Sequence, residues 1–158
     1  MISTCAVTAE ILNELIEINY DRAELYRIGV IELKDDDQRL LPFFKQMIKD
    51  SERYIDTLSR EVEIMGGNTN SGTSTEGRIY RAWMNVRTML SKHSSYSILD
   101  SCEDMEDVTL SVYRAAMQQP ALEGYLREMV SDQLDHLLHA HDTVKKLRDR
   151  AKKPLKIF

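Results

Sequence analysis

LNELIEINYDRAELYRIGVIELK, residues 12–34, decides the fold. Its apolar positions Leu12, Ile16, Ala23, Tyr26, Val30 and Leu33 step by three and four. That spacing lines one face of an α-helix and suits no strand. A helix is therefore expected over residues 8–34, here helix A. Its stripe is interrupted once, at Asn19, and the same kind of interruption recurs down the chain.

Working outward, DDDQ at 35–38 reads as a turn. Helix B is expected over 41–65, with Pro42 in a first helical turn and Phe44, Met47, Ile48, Ile55, Leu58, Val62 and Met65 on one face. Gly66 and Gly67 stop it, as glycine past a helix C-terminus does. A polar loop over 68–76 leads to a short amphipathic helix at 77–90, carrying Ile79, Trp83, Val86 and Leu90. Helix C follows over 97–118, with Leu99, Cys102, Leu110, Tyr113 and Met117 inward. Pro120 separates it from helix D, over 121–152, which carries Leu126, Met129, Val130, Leu137, Ala140, Val144 and Leu147. The tail KKPLKIF reads as loose.

The expected class is all-α, a four-helix bundle forming one domain over residues 1–158. A–B and C–D are short connections, so each pair is an antiparallel hairpin. The B–C connection takes about thirty residues, enough to run the length of a bundle whose helices span some 30 Å. Short, long, short is the ferritin-like pattern, with one crossover that carries the extra helix.

Composition agrees. The hydrophobic fraction is 42%, the charged fraction 30%, and only 6 glycines and 3 prolines occur, which favours long helices over turn-rich β structure. A net charge of −5 disfavours sequence-independent nucleic-acid binding, so no nucleic-acid partner is expected. No apolar run reaches the roughly 20 residues of a membrane span, so no membrane partner is expected either. MISTCAVTAEIL lacks the basic and apolar regions of a signal peptide, and the 2 cysteines do not read as a disulfide, with Cys5 in a frayed terminus. A cytoplasmic protein is expected.

Each inward stripe carries one polar residue near its midpoint: Asn19 in A, Ser51 in B, Glu106 in C and Gln133 in D. Helices of similar length would bring the four to one depth. A buried polar group costs free energy unless it is bonded. Two readings stand. One is a structural layer in which Asn and Gln amides donate to Glu106. The other is a site for iron, another divalent metal or a small ligand centred on Glu106.

The segment SDQLDHLLHAHD, 131–142, concentrates metal-ligand types. At 100° per residue, Gln133 points inward, His136 lies about 65° to one side and His141 about 75° to the other. His139 faces solvent, so the three histidines do not converge. His136 and His139 suit adventitious surface metal. His141 and Glu103 fall on the same side of their stripes, which makes Glu103, Glu106 and His141 the candidate metal ligands.

A di-iron bundle needs a Glu on each of two helices and Glu-x-x-His on each of the other two. Here Glu52 is followed by Ile55 where the histidine should stand, and Gln133-x-x-His136 puts an amide in place of the carboxylate. In helix A, Glu17 and Asp21 are expected to point outward. No nucleophile elbow, phosphate loop, dinucleotide fingerprint or His-Glu-x-x-His motif occurs. No catalytic residue is assigned and no cofactor is expected.

LNELIEINYDRAELY (12–26), EVEIMGG (61–67), RAWMNVRTML (81–90), SCEDMEDVTLSVYRAAM (101–117) and the run from Gln133 to Asp142 occur in order. As a set they resemble the ferritin-like four-helix-bundle proteins of the bacterial domain of unknown function 2383. The resemblance implies that fold and brings no activity. The positions it implies as typical are Asn19, Asp21, Tyr26, Glu103, Glu106, Tyr113, Gln133 and His141.

Helices A and C each carry a second apolar row: Ile11, Ile18 and Leu25, and Ile98, Met105 and Val112. A wide face on a globular helix accounts for them, and so does a homodimer. The expected function is therefore a non-enzymatic homo-oligomeric or interaction protein with a protein partner, stress-related by analogy of fold alone. The alternative is the metal- or ligand-binding bundle centred on Glu106.

Overall fold

The computed structural model describes residues 3–33, 37–69 and 94–152. Within them lie helices α1 (Thr4–Glu32), α2 (Leu41–Ile64), α3 (Ser95–Met117) and α4 (Gly124–Lys152), with a 3-10 turn at Gln38–Leu40 leading into α2. No strand occurs among the described residues. The protein is an all-α four-helix bundle. The expected short helix at 77–90 lies outside the described residues, as do 70–76 of the loop before it and the tail from 153.

The helix ends follow from capping. α1 starts at Thr4 rather than Thr8, because the Ser3 side chain accepts from the Ala6 N–H at 3.1 Å and satisfies one of its free donors. Cys5 is therefore an exposed residue of the first turn rather than part of a frayed end. α3 starts two residues early for a similar reason: Ser94 and Ser97 form a reciprocal capping box. α4 starts at Gly124 rather than Ala121. Gly124 has φ 62, in the left-handed region, so the helix cannot extend backward through it. Gly66, with φ 79, follows the end of α2 in the same region.

Pairs of contacts along the helices fix their directions. Near one end of the bundle, a Cβ on Gly29 of α1 would lie 2.4 Å from the Phe44 ring of α2. At the other end, Asn13 donates to the Asn68 carbonyl at 2.9 Å. α1 and α2 are thus antiparallel. α1 is also antiparallel to α3: the Gly29 Cβ position is 3.6 Å from Ile98, Asn19 meets Tyr113, and Thr8 donates to the Ala121 carbonyl just past α3. Along the α3–α4 pair, Tyr113 meets Gln133, Asp107 meets His141 and Asp100 meets Arg148, again antiparallel. It follows that α2 and α3, consecutive among the described helices, run parallel. Asn68 and Ser95 accordingly sit at opposite ends: Asn68 beside Asn13, Ser95 beside Asp37.

The core runs through all four helices and includes Leu12, Leu15, Ile16, Leu58, Leu99, Leu110, Leu137 and Val144. At the Gly29 end, Tyr26, Phe43 and Phe44 pack edge to face, with Tyr26 and Phe44 centroids 5.2 Å apart. The second apolar rows belong to this interior. Ile11, Ile18, Leu25 and Met105 are buried, while Ile98 and Val112 are half-buried against the core. Both rows therefore pack largely against the core of one chain. Among the described residues, no helix is long and apolar enough to cross a membrane.

Candidate functional site

The middle of the bundle is polar. α1 supplies Asn19, Arg22 and Tyr26, which at spacings of three and four share one face. α2 supplies Met47 and Ser51, one turn apart. α3 supplies Glu106 and Tyr113, and α4 supplies Gln133. All eight are buried.

They form two hydrogen-bonded sets. In the charged set, Arg22 Nε donates to Glu106 Oε1 at 2.7 Å, and the Tyr26 hydroxyl donates to the same oxygen at 2.6 Å. Arg22 Nη1 donates to Ser51 Oγ at 2.9 Å, and Nη2 to Met47 Sδ at 3.1 Å. Ser51 passes its own proton back to the Met47 carbonyl at 2.9 Å. In the neutral set, Asn19 Nδ2 donates to the Leu15 carbonyl and to the Tyr113 hydroxyl, both at 2.8 Å. Tyr113 then donates to Gln133 Oε1 at 2.7 Å. Glu106 Oε2 and Asn19 Oδ1 are shielded from solvent with no hydrogen-bond partner among the described residues.

The electrostatics follow from burial and from this one pair. Burial opposes the Arg22 charge most strongly, and Glu106 together with Tyr26 and Tyr54 more than offsets it, so the guanidinium pKa lies above its ordinary value. Tyr26 is pushed well above its ordinary 10.0, first by burial and then by the Glu106 charge. Cys102, one turn from Glu106, is pushed well above 9.0 by the same two causes. Burial also raises Tyr113. Tyr26 is thus a standing donor to Glu106. Cys102 is an inert thiol, since the thiolate is the reactive form.

The four polar residues expected at the stripe midpoints are all buried, Asn19, Ser51 and Glu106 at 0% exposure and Gln133 at 5%. Their connections differ from the expectation. The Asn19 amide donates elsewhere than to Glu106, and Gln133 enters the network by accepting from Tyr113. The residue that ties Glu106 to Ser51 is Arg22, which the stripe reading passed over. A signal for it was present. Arg22 stands three residues after Asn19 and four before Tyr26, and a carboxylate at that depth requires a cation. Asp21 is a second correction: it is 2% exposed instead of facing outward.

The expected metal ligands Glu103, Glu106 and His141 do not come together as a set. Glu106 turns into the centre, toward Arg22. Glu103 and His141 meet at the α3–α4 seam, with Oε1 and Nε2 4.0 Å apart, and there the third neighbour is Asp107. His136 and His139 are exposed. His136 lines an open groove with Tyr54 and Tyr125.

The model of a family described as Domain of unknown function (DUF2383) matches residues 7–119. That range holds Asn19, Arg22, Tyr26, Ser51, Glu106 and Tyr113, while Gln133 and His141 lie beyond it. No curated protein and no solved structure matches the chain.

Proposed function

This chain belongs to the family described as Domain of unknown function (DUF2383), and we propose that it is a non-enzymatic, ferritin-like bundle acting through its surface as an oligomeric or interaction protein. The parallel course of α2 and α3 supports the ferritin-like topology, since such bundles carry one long crossover. The observation that carries the functional reading is the Arg22 guanidinium seated on Glu106.

A ferritin-like fold raises the question of a di-iron centre, and the donor set answers it. Such a centre needs four carboxylates and two histidines facing inward. Here Glu106 is already neutralised by Arg22, and the other polar residues of the central network, Asn19, Ser51, Tyr113 and Gln133, are neutral. These residues do not fit a di-iron pair. A metal at Glu106 would first have to displace a guanidinium bonded to the carboxylate, a hydroxyl and a sulfur.

Anaerobic loading of the full chain with Fe(II) and Mn(II), followed by desalting and metal analysis, tests the non-metal centre. No retained metal should depend on Glu106. Near-stoichiometric metal lost in Glu106→Gln but kept in His141→Gln overturns the reading. Size exclusion with light scattering tests the interaction role. A dimer is expected, and a strict monomer with no partner counts against it.

A further inference from the structure

We propose that Glu103, Asp107 and His141 form a site for a single divalent transition-metal ion at the α3–α4 seam, separate from the polar centre. Glu103 and Asp107 are one helical turn apart on α3, so their carboxylates stack on one face. His141 reaches them from α4. One donor atom from each of the three lies within 4.8 Å of the others.

The His141 nitrogen is the independent pointer to a cation. Nε2 lies 2.7 Å from Asp107 Oδ1 and 4.0 Å from Glu103 Oε1, yet it is shielded from solvent and has no aligned hydrogen bond. With no N–H aligned on either carboxylate oxygen, no hydrogen bond holds these three atoms at their close approach, and a cation among them would hold it. Around one tetrahedral ion with bonds of roughly 2.0–2.2 Å, ligand atoms stand about 3.3–3.6 Å apart. The two observed separations bracket that spacing. The adjustment falls to Asp107, whose side chain is 59% exposed and free to rotate.

The surroundings fit a metal as well. Arg148 pairs with Glu103 through Oε2, which fixes the carboxylate and leaves Oε1 toward His141. Asp142 Oδ1 lies 3.6 Å from His141 Nδ1, on the side where a ligating histidine donates its other N–H to a carboxylate. One imidazole and two carboxylates suit Zn(II), Co(II), Mn(II) or Fe(II). Bound there, the ion would tie α4 to α3.

The test is equilibrium dialysis of the full chain against Zn(II), with Co(II) as a visible-absorbance probe. The expected result is one ion per chain, bound more than tenfold more weakly in Asp107→Asn and in His141→Gln. Asp142→Asn should weaken binding by about tenfold. His139→Asn should leave it within twofold. Asp107 is exposed, so its variant folds and the loss reads as lost ligation. No binding, or binding that follows His136 and His139 instead, overturns the proposal. Neither failure touches the reading of the centre, whose test depends on Glu106.

Discussion

Arg22 Nε sits 2.7 Å from Glu106 Oε1, with the two side chains 1% and 0% exposed. A buried pair of this kind is poor evidence of net stability, because desolvating two charges costs about what their attraction returns. It is strong evidence of mutual dependence. Either partner alone would be an unpaired charge in the core. Tyr26 and Ser51 complete the arrangement by taking up further bonding positions on the carboxylate and the guanidinium.

The two tyrosine hydroxyls should therefore matter beyond their rings. Tyr113→Phe removes the one group that joins Asn19 to Gln133 and leaves both amides short of a partner. Tyr26→Phe leaves Glu106 with Arg22 as its remaining donor among the described residues. Each should cost about 1–3 kcal/mol in denaturant unfolding. Tyr125→Phe, on an exposed hydroxyl, should change stability far less than either. Equal effects at all three positions would mean the buried bonds contribute nothing special.

Stability should fall on the alkaline side. Cys102 and Tyr26 titrate well above their ordinary 9.0 and 10.0 in the folded chain, through burial and Glu106. The unfolded chain gives up these protons at the ordinary values, so it binds fewer protons than the native state as pH rises. Their contribution is intact below about pH 9 and is lost above it, at about 1.4 kcal/mol per group per pH unit. Urea melts at about pH 8 and about pH 10.5 should show a clear drop in midpoint, smaller in Tyr26→Phe. A flat profile would contradict the closed, charged centre.

Gly29 marks the close approach of α1 and α2. A methyl group there would meet Phe44 at 2.4 and 2.7 Å, and that ring is locked between Tyr26 and Phe43. Alanine normally strengthens a helix by up to about 1 kcal/mol over glycine. Here the overlap should win, and Gly29→Ala should destabilise by about 1–3 kcal/mol. Adding Phe44→Leu should recover part of the loss relative to the Phe44→Leu background. Gly29→Ala melting above the wild type would show that α1 and α2 are farther apart.

Much of this was legible in the residues. The three-and-four spacing from Leu12 to Leu33 specifies a helix whatever its neighbours do, and the polar midpoints Asn19, Ser51, Glu106 and Gln133 are indeed buried. Helix starts were off where a serine outside the apolar stripe caps the helix, at Ser3 and Ser94. Arg22 and Asp21 were missed because a charge is ordinarily solvated, and burial is a property of what faces it from other helices. Sequence separates Arg22 from Glu106 by 84 positions, and periodicity within one helix carries no information across that gap. The same limit hid Asp107, whose place beside His141 depends on how α4 rotates against α3.

The Arg22–Glu106 pair can be tested directly by a thermodynamic cycle over wild type, Arg22→Met, Glu106→Leu and the double variant, each followed by denaturant melting. Each single variant should lose about 3–5 kcal/mol, because it strands the other charge in the core. The double variant should recover most of that loss and stand near wild type or above it. If Glu106→Leu is neutral or stabilising while Arg22 is intact, and the two substitutions simply add, then Arg22 is not what holds Glu106 and the closed centre described here is wrong.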